Sequence, residues 1–495
     1  MCDRLRLATI ILSLLGAALL GACGKKDDST LDVIAIGWAD SPFEKGVYLS
    51  PPAQLIRAAT AEGLVAMDEQ GRVIPALAER WIVTDDGQSY IFRLRGGTWS
   101  NGREITEQSA RTALQRAVKA LRGSSLGLDL ASIQEIRVMA AHVIEIRLSR
   151  PVPDLLQLLA QPELGLRYRG TGAGPMKLDK EGGVAVLQPV PPEERGLPAM
   201  SNWEERVRTI RFSAAPAEKA VEAFNRGEAD LVLGGQIQDF PLSRSVGILR
   251  GTIQVDPVIG LFGLAVVRER GFLAAPENRE AVAMAIDRAA LIEPFGLSGW
   301  TPTSRLVSPG LEGDLGTIGE RWPDLTMDER KALASARVTR WLGEQEGEGK
   351  KVILRIAFPQ GPGADMLFAE LARQLVQVGI ETVQVTEGAE ADLRLVDDIA
   401  RYPRAAWFLN RLNCKAGRSL CVADADQRVA ESRKAADPAE HAALLAEAEA
   451  EMTAANVFIP FGAPIRWSLV RGDVVGFAPN RWGWHPLMPM ALRPR

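Results

Sequence analysis

An α/β chain of two or three domains is what the sequence predicts, and three observations carry that prediction. The 495 residues suffice to bury more than one core. Val207 to Phe212 reads as a strand and Ala215 to Asn225 as a helix, an alternation that favours a mixed sheet. Val352 to Phe358 puts Val352, Leu354, Ile356 and Phe358 on one face. Asp365 to Val378 follows as a helix striped by Leu367, Leu371, Leu375 and Val378, Gly379 can cap it, and Glu381 to Thr386 is another strand. That spacing is a right-handed βαβ crossover and makes a parallel pair.

The N-terminus assigns the compartment. Arg4 and Arg6 precede an apolar run, Leu7 to Leu20, shorter than the roughly 20 residues a membrane-spanning helix needs, so residues 1–22 read as a secretory signal. Leu20-Gly21-Ala22-Cys23 matches the bacterial lipobox: small residues fit the signal peptidase and the Cys23 thiol takes the lipid. Acyl chains contribute about 0.8 kcal/mol per buried CH₂ and would anchor the protein to a cell-envelope membrane on the periplasmic side. Residues 23–30 are a polar tether. Removing the signal takes the formal net charge from −4 to −5, and this near balance gives no sign of nucleic-acid binding. Cys414 and Cys421 remain as a close pair in an exported chain, so a disulfide is expected, worth roughly 2 to 3 kcal/mol. Two cysteines and the scattered His142, His441 and His485 give no zinc spacing, and no cofactor fingerprint is found.

In chain order, Leu31 to Ile36 is a buried strand running into the loop Gly37 to Pro42. Ligands sit at strand C-terminal ends in α/β domains, which makes Trp38 and Asp40 candidate cleft residues. Ala53 to Ala66 reads as a helix. Ile74, Leu77, Trp81 and Val83 lead into Asp85-Asp86-Gly87, after which Tyr90, Phe92 and Leu94 alternate with Ile91, Arg93 and Arg95, a β-hairpin with one apolar face. Trp99, the Asn101-Gly102 turn and Thr106 precede a helix from Ser109 to Arg122. Strands at Glu135 to Met139 and His142 to Leu148 follow, then a helix opened by Pro151 and running through Ala160. Pro189 to Pro198 reads as surface loop, and Asn278 to Phe295 as one Ala-rich helix.

Pro75, Ala78, Trp81, Asp86-Gly87, Tyr90, Phe92, Leu94-Arg95, Trp99 and Gly102 stand in an order that resembles the signature block of the extracytoplasmic solute-binding proteins of peptide-type ABC importers. The string His142 to Ala160, HVIEIRLSRPVPDLLQLLA, is a second match. Gly172-Ala173-Gly174-Pro175, the turn Arg226 to Val232, Ala285-Ile286-Asp287-Arg288, the loop Gly299 to Pro309, and the segments Asn456 to Phe461 and Val474 to Phe477 also resemble that family. Thr106 keeps the family's helix start, whereas Glu107-Gln108-Ser109-Ala110 departs from it. The resemblance implies a two-lobed periplasmic-binding-protein (Venus flytrap) fold of class II type, with a small α+β subdomain on the first lobe. Lobe I would be residues 31–55, 170–262 and 462–495, the subdomain 56–169, and lobe II 263–461, with strands at 456–461 and 474–477 closing the chain. It further implies a monomeric receptor, not an enzyme, that delivers a small organic ligand, peptide or peptide-like, to ABC permease subunits.

The stretch Asp392 to Leu409 bears on the ligand. In peptide-binding relatives it resembles Trp-x-x-Asp-Tyr-x-Asp-Pro, with the first aspartate on the ligand's ammonium. Aligned on Tyr402-Pro403, those aspartates become Arg401 and Arg404. Either Asp397 or Asp398 substitutes from one turn earlier, or the ligand offers a carboxylate to the arginines, or both arginines are structural. Trp38, Trp407 and Trp467, with Arg466 beside the last, are the expected cleft lining. Two rivals stay open: an envelope hydrolase using Ser125 in Gly123-Ser124-Ser125-Leu126-Gly127, a G-x-S-x-G match lacking the strand that an elbow needs, and a sensor of the same fold that does not serve transport.

Overall fold

Leu31, Val33 and Ala35 are buried on alternate positions of the strand Thr30–Ile36, which lies inside a sheet rather than at its edge. It runs parallel to both Thr209–Ala215 and Leu231–Gly235. Around these three the seven-stranded sheet takes the order Ile253–Asp256, Arg466–Val470, Leu231–Gly235, Thr30–Ile36, Thr209–Ala215, Val184–Pro189, Met176–Glu181. A five-stranded sheet has the order Ile380–Thr386, Val352–Phe358, Leu393–Ile399, Gly260–Val266, Phe458–Gly462, and a four-stranded antiparallel sheet the order Ala78–Val83, Ser89–Leu94, Val143–Leu148, Ile133–Ala140. This computed structural model describes residues 28–246, 252–345 and 350–494. The signal segment, Cys23 and most of the tether lie outside the described residues. No helix among the described residues is long and apolar enough to cross a membrane.

The expected hairpin forms as Ala78–Val83 paired with Ser89–Leu94, with Val83 opposite Tyr90. Asp86 drives the reversal by accepting from the Thr84 hydroxyl at 2.6 Å and from the Gln88 N–H at 2.9 Å. Trp99 is fully buried and donates to Ser109 Oγ at 3.1 Å. The same serine completes a reciprocal cap with Thr106 on the helix Glu107–Ala120, so the departure from the family pattern there is a working cap. Gly172 and Gly174 lie against the backbone of Thr60, where an added Cβ would come within 2.4 Å.

The βαβ crossover is as expected: Val352–Phe358 and Ile380–Thr386 pair in parallel, joined by the helix Pro362–Val376. Three local expectations are corrected. The helix expected over Ala53 to Ala66 runs instead over Pro51–Thr60, and Val65 and Ala66 enter the strand Val65–Met67. The helix expected over Asn278 to Phe295 is broken into Pro276–Ala285 and Arg288–Ile292, because Asp287 caps the second piece by accepting from Ala289 and Ala290 N–H at 3.1 Å each. Val474 to Phe477 is not a strand; the last strand is Arg466–Val470. Met176–Glu181 and Val184–Pro189 form a hairpin that the sequence reading did not anticipate.

The chain leaves the seven-stranded sheet at Asp256, enters the five-stranded sheet at Gly260, and returns between Gly462 and Arg466. The first crossing comes before the expected 262/263 boundary, which falls inside the strand Gly260–Val266. Asp256 stands opposite Arg466 and Phe262 opposite Gly462, so the two crossings lie side by side, an arrangement suited to a hinge. One apolar core runs from Leu31 and Phe212 through Phe92 and Trp99 to Trp407 and Met452, and a second gathers Phe262, Phe358 and Trp467. Within the first, the helix Ala405–Arg411 sits against Ser125–Asp129 of the small subdomain. Cys414 and Cys421 are disulfide-bonded, closing the loop beyond that helix.

Candidate functional site

Leu231–Gly235 and Leu393–Ile399, one strand from each large sheet, deliver their C-terminal ends to the same cleft. Gln236 follows the first strand; Asp397 and Asp398 close the second, and all three residues line two adjoining chambers of about 280 and 310 Å³. The first chamber adds Gln54, Gln161, Arg401, Arg466, Trp482, Trp484 and His485. The second adds Gln238, Glu387, Arg394, Arg411, Arg418 and Ser419.

Neighbours on a strand face opposite ways, so the two aspartates take different partners. Arg466 donates to Asp397 Oδ1 at 2.7 Å and to its carbonyl at 2.9 Å. Burial pushes the Asp397 carboxyl up against the pull of Arg466. Burial acts on Asp398 too, but Arg411 and then Arg418 hold it below the usual carboxylate range. Arg411 also donates to Ser125 Oγ at 3.0 Å, reaching into the small subdomain. Arg401 reaches the same subdomain, pairing with Glu163 at 2.8 Å and Gln161 at 3.3 Å. The other wall is the loop Asn480 to His485. Asn480 Oδ1 accepts from Trp482 and Trp484 N–H at 3.1 and 3.2 Å, and its own N–H reaches Asp256 at 2.9 Å. Asp256 in turn faces His485 Nε2 at 3.1 Å, and the imidazole stacks on Phe477 with 4.3 Å between ring centroids. Among the described residues no group of three His, Cys, Asp or Glu side chains is placed to hold a metal ion.

The structure brings Asp398, Arg401 and Arg466 to the cleft and separates the remaining expected lining from it. Trp467 is 1 % exposed and packs in the second core, because it follows Arg466 on a strand and only one of the two can face the cleft. Trp407 is buried in the first core, edge-on to Phe408. Trp38 is 59 % exposed and Asp40 is also on the surface; neither borders the two chambers. Arg404 pairs with Asp154 and Glu312 in a separate polar cluster between the small subdomain and the segment after Tyr402, so it is not a cleft residue. Ser125 opens the helix Ser125–Asp129 with no strand before it, which removes the elbow on which the hydrolase alternative stood. The sequence reading missed Gln236, Trp482, Trp484 and His485; the available signal was the unassigned Trp482-Gly483-Trp484-His485 run, aromatics spaced by a glycine in a loop.

The polar cluster around Arg404 has its own titration. Asp129 accepts from Asn410 at 2.7 Å and from Tyr402, with Arg401 and Arg433 nearby, yet burial pushes its carboxyl up to about 6. An unfolded aspartate titrates at about 3.9. Between these values the folded chain holds a proton the unfolded chain has released, so this contribution is present at low pH and is lost as pH rises through 6. Asp129→Asn is therefore expected to gain stability over the wild type at pH 7.5 relative to pH 4.5, by about 2 kcal/mol. Thermal melts of both proteins at the two pH values check this; a constant difference would show that Asp129 is solvated.

The family model for bacterial extracellular solute-binding proteins, family 5 middle region, matches residues 72–183 and 198–417. The chain is 26% identical over 306 residues to the probable deoxycholate-binding periplasmic protein YgiS of Escherichia coli (strain K12), covering 56% of each. It is 23% identical over 284 residues to the periplasmic murein peptide-binding protein MppA of the same strain, covering 51% of this chain and 52% of that protein. The chain thus spans about half the length of these two relatives. The crystal structure of Haemophilus influenzae OppA in complex with RPPGFSPFR superposes with a TM-score of 0.77 at 17% identity, covering 95% of this chain and 100% of that one, which shows the shared two-lobed α/β fold.

Proposed function

The chain belongs to the bacterial extracellular solute-binding proteins of family 5, and from that membership we propose that it is the receptor of a peptide-type ABC importer. It closes two α/β lobes over a small peptide or peptide-like ligand and presents the closed form to the permease subunits. The observation that carries this reading is the cleft between the two large sheets, where Gln236 from one lobe meets Asp397 and Asp398 from the other. Chambers of about 280 and 310 Å³ suit a few residues of peptide. Contacts from both lobes exist together only when the lobes are closed, so ligand shifts the population toward that state. A micromolar complex corresponds to about 8 kcal/mol, enough to outweigh a hinge preference of a few kcal/mol. Lipid on Cys23 holds the receptor at the envelope membrane on the periplasmic side.

Arg401 serves this reading as a clasp. Its guanidinium is taken by Glu163 of the small subdomain, so it favours closure rather than meeting a ligand carboxylate. Arg401→Ala is expected to weaken trialanine and trialanine amide alike, by about fivefold, the worth of roughly 1 kcal/mol from one partly exposed ion pair. Isothermal titration calorimetry on the full chain measures both. A loss confined to trialanine, which alone has the free carboxylate, would return Arg401 to the ligand; no binding of either would remove the peptide reading.

A further inference from the structure

The helix Pro51–Thr60 borders two spaces in succession. Pro51, Gln54 and Leu55 line the first chamber, and Ala58 and Ala59 line a further cavity of about 230 Å³. Residues spaced three and four apart share one helix face, so both spaces lie along the same side of this helix, with Ala58 about 10 Å from Pro51 along the axis. Met67, Gln161, Pro162 and Trp484 line both, which places the cavity directly behind the chamber. The two differ in chemistry. The chamber carries Asp397, Asp398, Arg401 and Arg466. The cavity is walled by Ala58, Ala66, Ile74, Leu487, Met488 and flanking prolines. Its buried carboxylates are already taken, Glu62 by Arg95 and Arg195 and Asp68 by Arg72. Protein interiors are close-packed, yet alanines at 58, 59, 61 and 66 leave this space unfilled.

We infer that the ligand is amphipathic: its polar part lies in the first chamber, and an apolar tail at one end passes between Met67 and Trp484 into this cavity. The inference rests on the receptor reading above and adds the ligand's class, a peptide-like molecule with a tail. An apolar cavity of about 150 Å³ holds a benzene ring, so one of about 230 Å³ suits a chain of about eight carbons or a fused two-ring group. Burying such a group removes apolar surface from water and breaks no hydrogen bond of the paired carboxylates. The unbranched, flexible Met67 side chain can yield to let the tail through. Every residue of the cavity wall belongs to the small subdomain or to lobe I, none to lobe II. The tail therefore strengthens binding to the open and closed forms alike, while the polar part provides the contacts that favour closure.

The test uses the full chain and isothermal titration calorimetry with two matched pairs of probes: N-octanoyl-trialanine against N-acetyl-trialanine, and trialanine octylamide against trialanine methylamide. Within a pair the charge is the same and only the tail differs. In at least one pair the octyl compound is expected to bind about tenfold more tightly or better, and that pair identifies the tailed end. Ala58 is half-buried and lines the cavity but neither chamber. Ala58→Phe fills the cavity and is expected to abolish the gain while leaving the affinity for trialanine within about twofold. If that variant fails to fold, Ala66→Leu applies the same block from the strand Val65–Met67. No gain in either pair, or a gain that persists in the filled variant, overturns the inference and leaves the receptor reading standing. Failure of trialanine and all four compounds to bind removes the peptide reading and the inference with it.

Discussion

Replacing Arg305 with methionine is expected to destabilise the chain by about 3 to 5 kcal/mol, the cost of leaving buried carboxylates without their cation. Arg305 donates to Asp314 at 2.9 Å and to Glu449 at 3.0 Å, and none of the three side chains is more than 5% exposed. Burial pushes the Glu449 carboxyl up even with the guanidinium present. Glu449 also accepts the Val307 N–H at 3.1 Å, and Asp314 accepts those of Gly310 and Gly316 at 2.9 and 3.1 Å. One arginine thus pins the irregular stretch after Gly299 to the helix Pro438–Ala454. Methionine keeps much of the length and none of the charge. Denaturant midpoints measure the loss, and a further change of Glu449 to leucine in the same chain is expected to recover part of it, because it removes one stranded carboxylate. A loss below about 1 kcal/mol would mean that water reaches the network.

Trp467→Ala is expected to cost a similar amount, about 3 to 5 kcal/mol, by opening a cavity in the second core. Its ring seats on Gly235, where an added Cβ would lie 2.2 Å from the indole, and it meets the ring of Phe240 edge-on at 6.5 Å. Its Nε1 donates to the Gln236 carbonyl at 2.8 Å, so the substitution also releases a residue that lines both chambers. Thermal unfolding should drop sharply, with any change in affinity following through Gln236. The opposite pattern, lost affinity with stability kept within about 1 kcal/mol, would put the indole in the cleft, where the sequence reading had expected it.

The two outcomes at 466 and 467 show where legibility stopped. Arg466 and Trp467, adjacent in sequence, read as a pair facing the ligand, but the segment is a strand, and its alternation sends one to the cleft and the other to the core. Arg401 and Arg404 are legible as cations, yet nothing nearby in sequence says which carboxylates they meet. Trp407 reads equally as lining or core, since a buried tryptophan and a ligand-stacking one look the same in composition.

By itself the sequence determined the hairpin at Asp86-Gly87, the cap at Thr106, the crossover from Val352 to Thr386 and membership of the solute-binding family. Turn chemistry, capping and periodicity act over a few residues and leave their record there. Only the tertiary structure decided that Arg466 meets Asp397, Arg401 meets Glu163 and His485 meets Asp256, partners 69, 238 and 229 positions apart. In water each of these side chains would be satisfied alone. Burial at the junction of the two sheets and the small subdomain is what requires a partner, and that junction exists only once the chain has left the first sheet and come back to it.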